Sequence, residues 1–199
     1  ELLLESARHV GFVNLDQLIL ALLADLNGAD RTRVGHWVQD QLQRPGVVES
    51  FVNAFTSRFS THLETVTPVA GFVPFIEEML HSDVRVCVVS LAPAQEINAW
   101  LRPVMDPANF AGIFGIDDGP KMQATRLAIA RLGVDATSVI SIGDTPADLA
   151  VAAQFGCHFI RMHSAVGDRC DWSRARVPTV TSFADVPSTV KAEFRIDLG

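Results

Sequence analysis

The sequence predicts an α/β protein: a Rossmann-like three-layer core built on a parallel sheet, with a helical cap inserted after the first strand. Three observations predict it. Short β-branched apolar runs alternate with stretches of helical periodicity, the pattern of a parallel sheet covered on both faces. One segment near the N-terminus breaks that rhythm with helical patterns alone. Polar and acidic residues collect where the apolar runs end, which is where open parallel sheets bind ligands.

Taken in order, His9–Leu15 (HVGFVNL) is expected as the first strand. Val84–Val89 (VRVCVV) reads as a buried strand because it is almost continuously apolar and β-branched. Val139–Ile142 and His158–Met162 are further strands, Phe110–Ile116 another, and Pro178–Thr181 a short edge strand. Helices are expected over Val73–Leu80, over Pro93–Leu101 with proline in the first turn, and over Lys121–Leu132 up to Gly133. A further helix is expected over Pro146–Phe155, capped by Thr145 and closed by Gly156. Between Leu20 and Pro68 no strand pattern occurs, and Gly28, Pro45 and Gly46 punctuate helical stretches. The expected domains are a core from residues 1–19 and 69–199 and a helical cap from residues 20–68.

Composition narrows the function. A formal net charge of -7 argues against a general nucleic-acid binder. No apolar run reaches the roughly 20 residues of a membrane span. The 3 cysteines are far apart and show neither disulfide nor zinc spacing, which points to a reducing cytoplasm. The six histidines are scattered without ligand spacing. Trp37, Phe51, Phe55 and Phe59 recur at helical spacing and are expected to form the cap's own core. The arginine-rich stretch with Trp172 reads as an exposed loop.

The chemistry sits at the strand ends. The first expected strand ends in Asn14-Leu15-Asp16, the second in Ser90, and the third in Gly143-Asp144-Thr145 with Asp148 one turn into the next helix. Lys121 opens the helix before that third strand. Converging carboxylates repel one another unless a cation neutralises them, and hard oxygen ligands suit Mg²⁺. A lysine and a hydroxyl facing the same point can hold a phosphoryl group and offset its charge. The only lysines are Lys121 and Lys191, so lysine at this position is not a by-product of a lysine-rich surface.

In this order Asn14-x-Asp16, Ser90, Lys121 and Gly143-Asp144-Thr145-x-x-Asp148 resemble the four signature motifs of the haloacid dehalogenase superfamily, over roughly residues 9 to 165 and closest to its phosphoglycolate-phosphatase-like branch. The resemblance implies Mg²⁺-dependent hydrolysis of a small phosphomonoester through an aspartyl-phosphate. Residue 14 would be the nucleophile and a metal ligand, and Asp16 would bind the metal and serve as acid and then base. Ser90 would hydrogen-bond the phosphoryl group and Lys121 would neutralise charge. Asp144 would ligate the metal and Asp148 would support that site. A small phosphorylated ligand is the implied partner; a protein partner remains compatible.

The pattern departs from the family at three residues of the first motif, Asn14, Gln17 and Leu18. Residue 14 is asparagine, and a neutral carboxamide is a far poorer nucleophile than a carboxylate. The family follows the second aspartate with Gly-Thr, whereas this chain has Gln17-Leu18. Natural loss of catalysis, an engineered substitution and unusual residual catalysis each account for Asn14, and the alternative to an enzyme is a non-catalytic binding or assembly module.

Overall fold

A computed structural model describes residues 1–199 except Asn27, Gly28, Glu64, Val166 and Gly199, so the expected break at Gly28 lies outside the described residues. The chain divides into two compact units, Glu1–Val66 and Thr67–Gly199.

The first unit is helical. Its helices are α1 (Leu2–His9), α2 (Leu15–Leu23), α3 (Arg31–Leu42) and α4 (Val47–Leu63). Each apolar stripe turns inward: Ala7, Leu18, Val34, Val38, Val47 and Phe51 are buried together. A fully buried apolar side chain such as Phe51 stabilises by about 1.5–3 kcal/mol. Trp37 meets Phe12 edge-on at 5.7 Å between ring centroids, so both belong to this core. Phe55 and Phe59 stack on each other at 5.6 Å beneath the Arg31 guanidinium and are only half-buried. The expected aromatic core is therefore split between Trp37 and Phe51, which belong to it, and the cation-capped pair Phe55 and Phe59.

The strand expected over His9–Leu15 is not formed. His9 ends α1, Leu15 begins α2, and the residues between form a turn. Gly11 adopts φ +90, a conformation that glycine takes without steric cost, and the Phe12 amide donates back to the Ala7 carbonyl at 2.9 Å. Val10 and Phe12 are buried while Val13 is 88% exposed. That alternation imitates a half-buried strand, yet it arises from two side chains plugging a helical core. Residues 1–19, expected within the core domain, thus lie in the same helical unit as residues 20–66.

The second unit is the α/β one. It contains α5 (Phe72–Leu80), β1 (Cys87–Val89), α6 (Ala94–Leu101), β2 (Gly112–Phe114), α7 (Lys121–Leu132), β3 (Ile140–Gly143), α8 (Pro146–Phe155), β4 (His158–Met162), β5 (Thr179–Val180) and α9 (Val186–Phe194). All pairings are parallel: β1 with β2, and β3 with β4 with β5. These form a two-stranded sheet, β1-β2, and a three-stranded sheet, β3-β4-β5. Helices α7 and α8 match their expected bounds, and both close on glycines in the left-handed region, Gly133 and Gly156. Pro93 caps α6 rather than opening its first turn. The strands at Val84–Val89, Phe110–Ile116 and Val139–Ile142 are shorter or shifted at their ends, as expected where apolar runs continue into loops. Helix α9 has no counterpart in the sequence reading.

The core of this unit joins Phe75, Ile76 and Met79 of α5 to Ile160 and Met162 of β4 and to Val186 and Val190 of α9. Helix α7 packs on β1 and β2, and α8 on β3 and β4.

Candidate functional site

The polar centre of the second unit is built where β3 runs into α8. Thr145 is the N-cap of α8, and it forms a reciprocal capping box with Asp148. One carboxylate oxygen of Asp148, Oδ2, accepts the Asp144 amide at 3.1 Å, the Thr145 amide at 2.9 Å and the Thr145 hydroxyl at 2.8 Å. The other, Oδ1, is ion-paired with the Lys121 ammonium at the start of α7. Asp148 is only 7% exposed. Burial pushes its carboxyl upward, but the Lys121 charge, the Lys121 hydrogen bond and the Thr145 donors outweigh it, and the group is held below the usual carboxylate value.

Gly143 makes this approach possible. A Cβ there would stand 2.4 Å from the Asp148 Cβ, so β3 must end in a residue without a side chain for Asp148 to tuck beneath it. Asp144 is oriented from a different loop: the Ser164 hydroxyl, two residues beyond β4, donates to its Oδ2 at 2.6 Å. Ser164 Oγ in turn accepts the Gly167 amide at 2.8 Å. A Cβ on Gly167 would lie 2.1 Å from the Asp144 carbonyl oxygen, so that contact also requires glycine. Nothing in the residue pattern marked Ser164 or Gly167. They meet Asp144 only because β4 lies parallel to β3, with Gly143 opposite Arg161.

Ser90 directly follows β1, and its amide extends the ladder to the Phe114 carbonyl at 3.0 Å. Its hydroxyl oxygen accepts the Ala92 amide at 3.1 Å, so it holds a turn. Val89 of β1, Lys121 and Asp148 line one cleft in this unit. Lys121, Asp144, Asp148 and the end of β1 are thus gathered at one edge of the α/β unit.

Asn14 and Asp16 have a different setting. Asn14 is the N-cap of α2, its Oδ1 accepting the Gln17 amide at 3.2 Å, and Asp16 lies in that helix's first turn. Both are helix-start residues rather than strand-end residues. The same Asn-x-Asp letters fit either setting, because asparagine and aspartate are also the preferred caps and first-turn residues of helices.

The donor chemistry bears on a metal. Both oxygens of Asp148 are already engaged, which suits a supporting role. Asp144 offers a hard carboxylate, and Mg²⁺ is commonly held by one or two carboxylates with waters and substrate phosphate completing its shell. Among the described residues no group of three or more His, Cys, Asp or Glu could hold a metal by itself. Among the described residues the donor set is thus no closed protein cage, and a cation held here would draw on Asp144 together with water or a ligand's own oxygens. Among the described residues, no helix is long and apolar enough to cross a membrane.

A structure from Haemophilus somnus 129PT, described as a predicted phosphoglycolate phosphatase, superposes with a TM-score of 0.69 at 13% identity, covering 93% of this chain and 87% of that one. A β-phosphoglucomutase from Clostridium difficile gives 0.69 at 12% identity, covering 96% and 89%. CbbY from Rhodobacter sphaeroides, in complex with phosphate, gives 0.62 at 19% identity, covering 71% and 67%. These likenesses establish a shared fold. None of the curated proteins matches the sequence. Residues 16–162 match the haloacid dehalogenase-like hydrolase family, a span that takes in Ser90, Lys121, Asp144 and Asp148 and begins after Asn14. With that span and this fold, the chain belongs to the haloacid dehalogenase-like hydrolases.

Proposed function

We propose that this protein handles small phosphomonoesters with Mg²⁺, and that turnover through an aspartyl-phosphate is lost or strongly attenuated because residue 14 is asparagine. The observation that carries the reading is the network joining Lys121, Asp148, Thr145 and Asp144 at the end of β3. Lys121 supplies positive charge where a phosphoryl group would lie. Asp148 holds the Lys121 ammonium and the Asp144–Thr145 turn, and the Ser164 hydroxyl donates to Asp144 Oδ2, which would steady that carboxylate for a cation. Mg²⁺, when bound, supplies charge neutralisation for phosphate oxygens. Ser90 would add a hydrogen bond to the phosphoryl group once its hydroxyl proton turns outward, since its oxygen already accepts the Ala92 amide. The phosphate bound to CbbY supports the ligand class.

The capping role of Asn14 favours a second reading, a non-catalytic binding or assembly module that keeps the phosphate cradle. The thiols of Cys87 and Cys157 suit a reducing cytoplasm for either; burial pushes both upward, away from the reactive thiolate.

The test is calorimetric titration of inorganic phosphate with and without Mg²⁺, beside turnover of 4-nitrophenyl phosphate by the parent and Asn14→Asp. Mg²⁺-enhanced phosphate binding that is lost in Asp144→Ala is the expected result. Turnover gained by Asn14→Asp would favour a disabled enzyme; its absence, with binding kept, would favour the module. Failure of phosphate and Mg²⁺ to bind at millimolar concentration would overturn both.

A further inference from the structure

Strand β4 carries an arginine near its middle, where a parallel strand ordinarily bears apolar side chains on both faces. Side chains alternate along a strand, so Phe159 and Arg161 share one face while Ile160 and Met162 point into the core from the other. The indole of Trp172 meets both members of the first face. Its ring stacks on Phe159 at 6.5 Å between centroids, and the Arg161 guanidinium sits 4.5 Å from its centroid. The stretch expected as an exposed loop is therefore anchored by a half-buried tryptophan.

Arg161 has a second partner. Its Nη2 donates to Asp168 Oδ1 at 2.6 Å, and the other oxygen of that carboxylate lies 2.9 Å from His163 Nε2. The Arg161 side chain is 15% exposed, and its Nε is buried without a hydrogen-bond partner among the described residues. An unpaired buried donor is costly, so an apolar residue would fill this place at less cost. What the guanidinium adds is one flat cation that meets an aromatic face and a carboxylate at once.

Both partners lead to Asp144. The Asp168 amide donates to the Ser164 carbonyl at 2.9 Å, and Trp172 Nε1 donates to the Gly167 carbonyl at 2.8 Å. The Gly167 amide donates to Ser164 Oγ at 2.8 Å, and the Ser164 hydroxyl donates to Asp144 Oδ2 at 2.6 Å. Asp148 accepts the Asp144 backbone amide, whereas Ser164 reaches its carboxylate. The two supports therefore act on different parts of the same residue.

We propose that Arg161 is a positioning residue for Asp144: by clamping Asp168 and Trp172 it sets Ser164 and Gly167, and through them the rotation of the Asp144 carboxylate. It acts through Ser164 and not by touching a ligand. Lysine is a poor replacement, because an ammonium can pair with Asp168 but lacks the planar face that lies over the indole. The consequence for cation affinity rests on the proposed reading of Asp144 as a Mg²⁺ ligand; the orientation of the carboxylate does not.

The experiment is NMR on the metal-free chain, reading the Asp144 carboxyl carbon, the Gly167 amide and the Trp172 indole, followed by calorimetric titration of Mg²⁺ in inorganic phosphate. Arg161→Met should move the Asp144 carboxyl resonance in the direction that Ser164→Ala moves it, and Arg161→Lys should restore it only in part. Asp168→Asn, at an exposed side chain, should move it the same way and serves should Arg161→Met fail to fold. Arg161→Met should weaken Mg²⁺ binding about fivefold, the loss expected for one hydrogen bond. The same substitution in a Ser164→Ala background should weaken it no further. An Asp144 resonance unmoved in whichever of these variants folds would overturn the proposal, as would losses of affinity that simply multiply. A parent that binds no Mg²⁺ while the Asp144 resonance moves as expected would overturn the cation reading alone and uphold the positioning role.

Discussion

The ammonium of Lys121 and the carboxylate of Asp148 form an ion pair that ties the start of α7 to the first turn of α8. Asp148 is nearly enclosed and Lys121 is partly open to solvent, with side-chain exposures of 8% and 28%. The pair is thus asymmetric, and its members should respond differently to removal.

Replacing Lys121 with methionine leaves a buried carboxylate with hydrogen bonds but no counter-charge. A loss of about 2 kcal/mol is expected, below the full penalty for a fully buried pair because water still reaches the lysine. Urea denaturation of Lys121→Met, Asp148→Asn and the double variant measures it. The double variant should lose less than the two single losses added.

Acid should act through the same carboxylate. Its pKa is depressed in the folded chain, so its stabilisation is present above the ordinary unfolded value near 3.8 and disappears as pH falls through the lower folded value. Melting temperatures of the parent and Asp148→Asn should therefore differ at neutral pH and converge in strong acid. A gap that stays constant down to the lowest pH would contradict this assignment.

Gly167→Ala places a methyl group against the backbone carbonyl of Asp144, which cannot swing aside as a side-chain tip could. The expected cost is about 1–3 kcal/mol, with loss of the Ser164–Asp144 hydrogen bond. Ser164→Ala removes that bond without a clash and should cost about 1 kcal/mol. If the Asp144 carboxylate is the cation ligand, Ser164→Ala should also weaken Mg²⁺ binding, read by calorimetry.

Asn14 offers the clearest separation of helix cap from nucleophile. Asn14→Ala should destabilise by about 1 kcal/mol, and Asn14→Asp should be neutral or slightly stabilising because aspartate caps as well and its charge favours the helix N-terminus. On the proposed reading Asn14→Asp should also gain Mg²⁺-dependent phosphatase turnover over the parent, measured with 4-nitrophenyl phosphate. Destabilisation by Asn14→Asp would contradict the capping role.

The residue pattern was sufficient for the α/β class, for both bounds of α7 and α8, and for the grouping of Lys121, Asp144 and Asp148. These features rest on local rules: helical periodicity, an N-cap followed by proline, a glycine after the last turn, and a carboxylate following a buried strand. His9–Leu15 was misread because alternating burial has the same period whether it comes from a strand or from two plugs in a helical core. Ser164 and Gly167 were invisible because their importance comes from β4 lying beside β3, a contact across 20 residues.

The sequence alone therefore determined most strands and helices of the α/β unit and that Ser90 and Asp144 follow strands, since those features depend on neighbours within a few residues. Tertiary structure decided that Asn14 caps a helix, that Ser164 holds Asp144, and that residues of β1 and β3 line one cavity. Each of these depends on which segments pack side by side, and parallel strands joined through helices bring together residues that no local spacing relates.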